Sequence, residues 1–249
     1  MNMPQDISKQ WYATWFDSPY YHLLYKERDH KEAELFIDNL IDFLNPVAQS
    51  TFLDLACGKG RHSIYLHTKG FDVTGVDLSE QSIKYASKQV KEGLNFYVHD
   101  MRYPCRINYF GYVLNLFTSF GYFENEKDNY AVAASISKEL RPKGIVVIDF
   151  LNAHKVISNL KKHETKEVDG IRFDIYRAIE QGVIIKQIKF SDKNQHYSFE
   201  ERVTALELHH FEKYLHANKL KILNLFGDYS LNKFDELTSD RLIIIAQKE

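Results

Sequence analysis

Cysteine, proline and long apolar runs are all scarce in this chain of 249 residues. The two cysteines, Cys57 and Cys105, stand far apart; they build neither a disulfide framework nor a metal cluster, and they fit a reducing compartment. The longest apolar runs, Leu242 to Ala246 and Gly144 to Ile148, are of strand length, far below the roughly 18 residues of a membrane helix. The opening residues, MNMPQDISKQWYATW, lack a basic segment followed by an apolar one. No secretory signal is read there, and a cytoplasmic location is expected. Charge of one sign is missing too, since 32 Lys plus Arg against 34 Asp plus Glu leave a net charge of -2. Nucleic acid is therefore not the expected partner, and a small or medium-sized substrate is.

What is present is an ordinary globular composition, 44% hydrophobic, 27% charged and 14% aromatic, in a chain long enough for one large domain carrying an insertion. An aromatic segment, WYATWFDSPYYHLLY, predicts one or two short helices. Ala33, Phe36, Ile37, Leu40, Ile41 and Leu44 then recur on one helix face, with Asp29 and Glu32 spaced as a capping box and Asn45-Pro46 as the stop. Strands are predicted at 51–56, 71–76, 95–98, 110–116 and 144–150, alternating with helices at 61–69, 79–90 and 126–140. Such alternation predicts an α/β fold with a parallel sheet and helices on both faces.

From about Glu164 the period changes to two, through Ile171, Phe173 and Ile175, then Ile184, Ile188 and Phe190, then Tyr197, Phe199, Val203 and Ala205. Asp169-Gly170, Gln181-Gly182 and SDKNQ at 191–195 supply turns between antiparallel strands. KKHETK at 161–166 reads as an exposed loop. A helix at 208–217 and strands at 220–226 and 241–247 complete the chain. The expected organisation is a parallel-sheet domain, 1–151 with 208–249 and an N-terminal helical cap, carrying an antiparallel insertion at 152–207.

The chemistry begins where the first strand ends. Asp54 closes an apolar strand, and Gly58 and Gly60 make a turn into a helix, letting the backbone approach a ligand at the carboxyl edge where open sheets bind them. Asp77 ends the second strand, 17 residues beyond Gly60, near the spacing at which an acid holds a ribose diol. Asp100 follows the third strand. Three successive strand ends each offering an acid indicate an adenosine-type ligand. A dinucleotide loop wants glycine where Ser63 stands, and a P-loop wants glycine at Leu53. Moreover, Asp54 would repel a pyrophosphate but suits an ammonium or sulfonium group.

The motifs DLACGKGRH, VDLSE, HDM, VLNLFTSFGYF and LRPKGIVVIDF resemble successive motifs of the class I S-adenosylmethionine-dependent methyltransferases, over about residues 20–150. The resemblance implies a Rossmann-like fold with a seven-stranded, mainly parallel sheet and S-adenosylmethionine as cofactor. It implies that Asp54, Ala56, Cys57, Gly58 and Gly60 line the amino-acid end of the cofactor, Ala56 standing where glycine is usual. Asp77 and Leu78 would face the ribose and adenine, Asp100 and Met101 the adenine, and Asn115 and Leu116 the methionine portion. Tyr25 and Arg28 are the candidates for an aromatic and a basic residue closing over the cofactor. The antiparallel insertion is similar to that of sugar and small-amine N-methyltransferases, where it covers the substrate or pairs subunits, so a homodimer is one expectation. Tyr122 stands where the amino-sugar enzymes tend to carry a histidine, and it is the candidate base.

Methyl transfer needs the nucleophile held near attack distance, and aromatic rings near the sulfonium would attract it and exclude water. Tyr20, Tyr21, Phe117, Phe120 and Tyr122 form the pool. The expected activity is N- or O-methylation of a small acceptor. The alternatives are a non-catalytic cofactor-binding module and a methyltransferase acting on RNA or protein. Bland roles compete for single residues: His62 as a helix-start residue, His209, His210 and His216 as a solvated face with no metal geometry, and Cys57 as an inert thiol.

Overall fold

The computed structural model describes residues 11–26 and 30–249. The described residues divide into two compact units, 30–155 with 206–249 and 11–26 with 156–205. The N-terminal helices thus belong with the inserted strands, a different grouping from the helical cap on the parallel sheet expected above. The physical reason is apolar surface. The helices α1 (Trp11–Trp15) and α2 (Pro19–Leu24) bury Trp15 and Leu24 in one cluster with Phe173, Ile175, Ile188 and Phe190.

The larger unit begins with α3 (His30–Leu44), which buries Phe36, Ile37 and Leu40. The Asp29 half of the expected capping box lies outside the described residues. There follow β1 (Thr51–Leu55), α4 (Arg61–Thr68), β2 (Asp72–Asp77), α5 (Glu80–Ala86), β3 (Leu94–Val98), β4 (Phe110–Asn115), α6 (Glu126–Glu139) and β5 (Leu140–Leu151), and the division between the units falls within α7 (Ala153–Ser158). After the insertion come α8 (Leu208–Ala217), β10 (Leu220–Phe226) and β11 (Arg241–Lys248). The strands form a seven-stranded sheet in the order β10-β11-β5-β4-β1-β2-β3. β1 to β5 run parallel, and β11 runs antiparallel to both β5 and β10. The expected α/β sheet is present.

Two local departures have simple causes. The fifth helix stops at Ala86 and gives way to a 3-10 turn at Ser87–Gln89, because residues 87–92 are all exposed and bury nothing that would extend an amphipathic face. β5 starts at Leu140 rather than Gly144 and takes Pro142 into its exposed beginning, where the register against β4 is irregular and a missing N–H costs little.

The smaller unit contains β6 (His163–Val168), β7 (Ile171–Glu180), β8 (Val183–Asp192) and β9 (Gln195–Thr204), paired antiparallel in that order. Its three hairpins each turn through two residues with positive φ: Asp169-Gly170, Gln181-Gly182 and Lys193-Asn194. That is the twist-matched turn geometry of a tight hairpin. β6 corrects the loop expected at 161–166. Only its last residue, Val168, is buried, so a polar edge strand shows no hydrophobic alternation, and pairing with β7 defines it.

Candidate active site

The site grows from the carboxyl edge of the seven-stranded sheet, and strand order alone explains much of it. β1, β2 and β3 are neighbours, so Asp54, Asp77 and Asp100 come to adjacent positions on that edge. β4 flanks β1 on the other side and brings Asn115 and Leu116.

Asp54 is only 1% exposed; its Oδ2 accepts the Ser63 N–H at 3.1 Å and the Ser63 hydroxyl at 2.6 Å. Burial pushes its pKa up to about 6, against the lowering effect of those two bonds. Ser63, which had counted against a dinucleotide loop, is thus the residue that orients Asp54. Ala56 has φ +65° and Gly58 and Gly60 have φ +55° and +81°. A left-handed alanine costs about 1 kcal/mol, offset by the Cys57 N–H bonding the Val76 carbonyl at 2.9 Å. A Cβ on Gly60 would lie 2.6 Å from the Phe96 ring, whereas one on Gly58 would meet nothing within 4 Å. The loop therefore packs on the sheet at Gly60 and is open at Gly58.

Asp77 ties this loop to the second strand: Oδ2 accepts the Gly58 N–H and Oδ1 the Ser79 N–H, each at 2.8 Å. Asp100, 8% exposed, is gripped by the Arg102 guanidinium, with Nη2 at 2.7 Å and Nε at 3.1 Å from Oδ2. Arg102 also reaches Asp128 at 3.4 Å. Met101 and Leu78 are half-buried beside these acids in sequence. Asn115 is fully buried; its Nδ2 donates to the Leu55 carbonyl at 3.0 Å, and its Oδ1 has no partner among the described residues. A buried acceptor without a donor is costly, and it marks a place where a ligand N–H or O–H fits. Together with the open Gly58 and the buried anionic Asp54, it makes this edge fit a ligand carrying an ammonium, a ribose and an adenine.

The remaining expected residues fall as follows. Cys57 is buried, and burial together with Asp54 and Asp77 pushes its thiol well above the ordinary value, so it is no nucleophile. Tyr122 lies half-buried between β4 and α6. Tyr25 belongs to the smaller unit, where its hydroxyl donates to Glu201 Oε1 at 2.7 Å and Lys186 lies over its ring. Arg28 lies outside the described residues. His62 stacks on Phe117 at 5.1 Å. No group of three His, Cys, Asp or Glu among the described residues is placed to hold a metal, and no helix among them is long and apolar enough to cross a membrane.

Sequence reasoning passed over one cluster. Asp149, fully buried near the end of β5, accepts the Phe117 N–H at 2.8 Å and pairs with Arg241 Nε at 2.7 Å. The signal was available in the run VVIDF, which ends a fourth strand in an acid.

A seven-stranded sheet of this order, with β11 alone reversed against β5 and β10, and with acids at three adjacent strand ends, is the class I methyltransferase fold. Residues 52–144 match the family model described as a methyltransferase domain. The dTDP-3-amino-3,4,6-trideoxy-alpha-D-glucopyranose N,N-dimethyltransferase of Streptomyces venezuelae is 30% identical over 131 residues, covering 52% of this chain and 54% of that one. A S-adenosylmethionine-dependent methyltransferase from Clostridium acetobutylicum superposes with a TM-score of 0.78 at 23% identity, over 92% of this chain and 96% of the other. Streptomyces venezuelae DesVI superposes with a TM-score of 0.70 at 24% identity, over 92% and 97%. The chain spans about half the length of the first curated relatives it matches, 43% and 54%.

Proposed function

We propose that this protein transfers a methyl group from S-adenosylmethionine to a small-molecule acceptor, with nitrogen as the first acceptor atom to test and oxygen the second. The observation that carries the proposal is the row of Asp54, Asp77 and Asp100 on adjacent strand ends, completed on β4 by the buried, unpartnered Asn115 Oδ1. The cofactor, when bound, supplies a methyl carbon activated by a positively charged sulfur. Asp54 would hold the ammonium-bearing end, Asp77 the ribose diol and Asp100 the adenine side, while Asn115 Oδ1 accepts a donor from the methionine portion. An amine acceptor must arrive neutral, and a hydroxyl acceptor needs a base, for which Tyr122 is the candidate. Nitrogen is placed first because the Streptomyces venezuelae relative and a rat glycine N-methyltransferase, 32% identical over 123 residues, are named as N-methylating enzymes.

Calorimetric titration with S-adenosylmethionine and S-adenosylhomocysteine, with NAD and ATP as controls, tests the cofactor. Binding of the first pair alone supports the proposal and leads to a screen of small amines, then hydroxylated metabolites, for release of S-adenosylhomocysteine. Binding of NAD or ATP in their place overturns it.

A further inference from the structure

Two consecutive residues after β4, Phe117 and Thr118, have φ of +58° and +61°. Neither is glycine, and for a β-branched threonine this is an outlier conformation. The turn is held from the far end of the chain. The Phe117 N–H donates to Asp149 Oδ2 at 2.8 Å and the Thr118 N–H to the Asp149 carbonyl at 2.9 Å. Arg241, at the start of β11, donates through Nε to Asp149 Oδ1 at 2.7 Å and through Nη2 to Thr118 Oγ1 at 2.9 Å. The Tyr229 hydroxyl adds a bond to Asp149 Oδ2 at 3.3 Å.

Strand polarity brings these groups together. Ile243 lies opposite Asp149 in the antiparallel β5–β11 pair, so Arg241 falls diagonally beside Asp149 on the same face. Because β11 is reversed, its beginning sits at the edge where the parallel strands end. The turn sets the Phe117 ring under the Arg61 guanidinium, 4.0 Å from the ring centre, and 5.1 Å from the His62 ring. Arg61 and His62 follow Gly60 directly. β4 borders β1, whereas Asp77 and Asp100 lie on the far side of β1, so the turn acts on the Asp54 half of the site.

We propose that Arg241 and Asp149 are positioning residues that hold the Phe117-Thr118 turn against Arg61 and His62, directly after the Gly58–Gly60 loop, and so shape the half of the site that receives the amino-acid end of the cofactor. The proposal rests on the methyltransferase function above. It implies that the pair governs recognition of the aminocarboxypropyl group and leaves adenosine recognition alone.

The test titrates the full chain with S-adenosylmethionine, S-adenosylhomocysteine and 5'-methylthioadenosine, which keeps the adenosine and the sulfur but lacks the amino-acid end. Arg241→Lys retains a cation beside Asp149, but a single ammonium does not span both acceptors as a guanidinium fork does. Its affinity for the first two ligands is expected to fall about tenfold, with 5'-methylthioadenosine changed less than about twofold. Adding Thr118→Gly to the same chain is expected to restore most of the loss, because glycine adopts the left-handed turn without strain. Equal weakening of all three ligands, or none, overturns the positioning role while the methyltransferase function stands. Failure of the unaltered protein to bind any of the three overturns that function and the proposal with it. Should Arg241→Lys fail to fold by circular dichroism, Thr118→Val carries the same test, since it keeps the ion pair and removes only the hydroxyl acceptor. Selective loss of the first two ligands then supports the role, and its absence overturns it.

Discussion

Left-handed backbone is used in opposite ways in the hairpins of the smaller unit and at the candidate site of the larger one. In the smaller unit it occurs at Asp169-Gly170, Gln181-Gly182 and Lys193-Asn194, all exposed, all in two-residue hairpins. Their task is to reverse a strand, and residue type with chain twist suffices. At the candidate site of the larger unit it occurs at Ala56, Gly58, Gly60, Phe117 and Thr118, and buried or half-buried acids bond two of these positions: Asp77 bonds Gly58, and Asp149 bonds Phe117. A hairpin turn is thus set by its own residues, while a site turn depends on groups distant in sequence. Substitutions should therefore have separable consequences in the two units.

The largest expected effect lies in the smaller unit. Phe173 is fully buried there among Trp15, Leu24, Ile188 and Phe190, and Phe173→Ala should cost about 3 to 5 kcal/mol. Hydrogen exchange should show β7 and β8 opening while calorimetry finds cofactor affinity little changed. A wholly lost cofactor affinity in a protein whose larger unit stays folded would break the separation.

Next is a pH effect of opposite sign in the two units. Glu139 is fully buried, accepts the Cys105 N–H at 2.9 Å and leaves Oε2 without a partner among the described residues. Burial pushes its pKa up to about 7. The folded state then keeps a proton that the unfolded chain has released, so stability falls as pH rises from the ordinary carboxylate range to about 7, a loss of about 3 kcal/mol. Asp54 adds a slope of the same sign up to about pH 6. Glu139→Gln should flatten the larger unit's stability in urea titrations across that window, and an unchanged slope would refute the assignment. Glu164 and Asp174 in the smaller unit are held below their ordinary values, chiefly by bonds from Arg177 and Thr165. They contribute the reverse trend, stability that is present above the ordinary carboxylate range and lost in acid as pH falls through the depressed values.

Asp77→Ala should weaken S-adenosylmethionine binding by roughly 1 to 3 kcal/mol, read by calorimetry, with exchange protection of the smaller unit unaltered. The smallest effect tests whether Tyr25 reaches the cofactor. Tyr25→Phe removes the bond to Glu201 and should cost the smaller unit about 1 kcal/mol, with cofactor affinity unchanged. A clear loss of affinity would instead place Tyr25 over the cofactor.

Legibility in the sequence followed the range of the interactions. The alternation of strands and helices, the glycine turn and the acids at 54, 77 and 100 were readable because each is written in residues a few positions apart. The hairpin turns at 169–170 and 181–182 were readable for the same reason. β6 was not, because HETKEV shows one buried residue and takes its conformation from β7. The role of Ser63 was equally hidden: its identity argued only against a dinucleotide loop, and its bonds to Asp54 required α4 to start where Gly60 places it.

By itself the sequence determined the periodicities that make an α/β sheet with an antiparallel insertion, and the acids that ride at the ends of its strands. Only the tertiary structure decided which unit the aromatic N-terminal helices join, and that Arg241 would meet Asp149 across 92 residues of chain. The physical reason is that side-chain periodicity and turn chemistry act between near neighbours, whereas an ion pair of that separation exists only once β11 has reversed direction and settled into one register on β5.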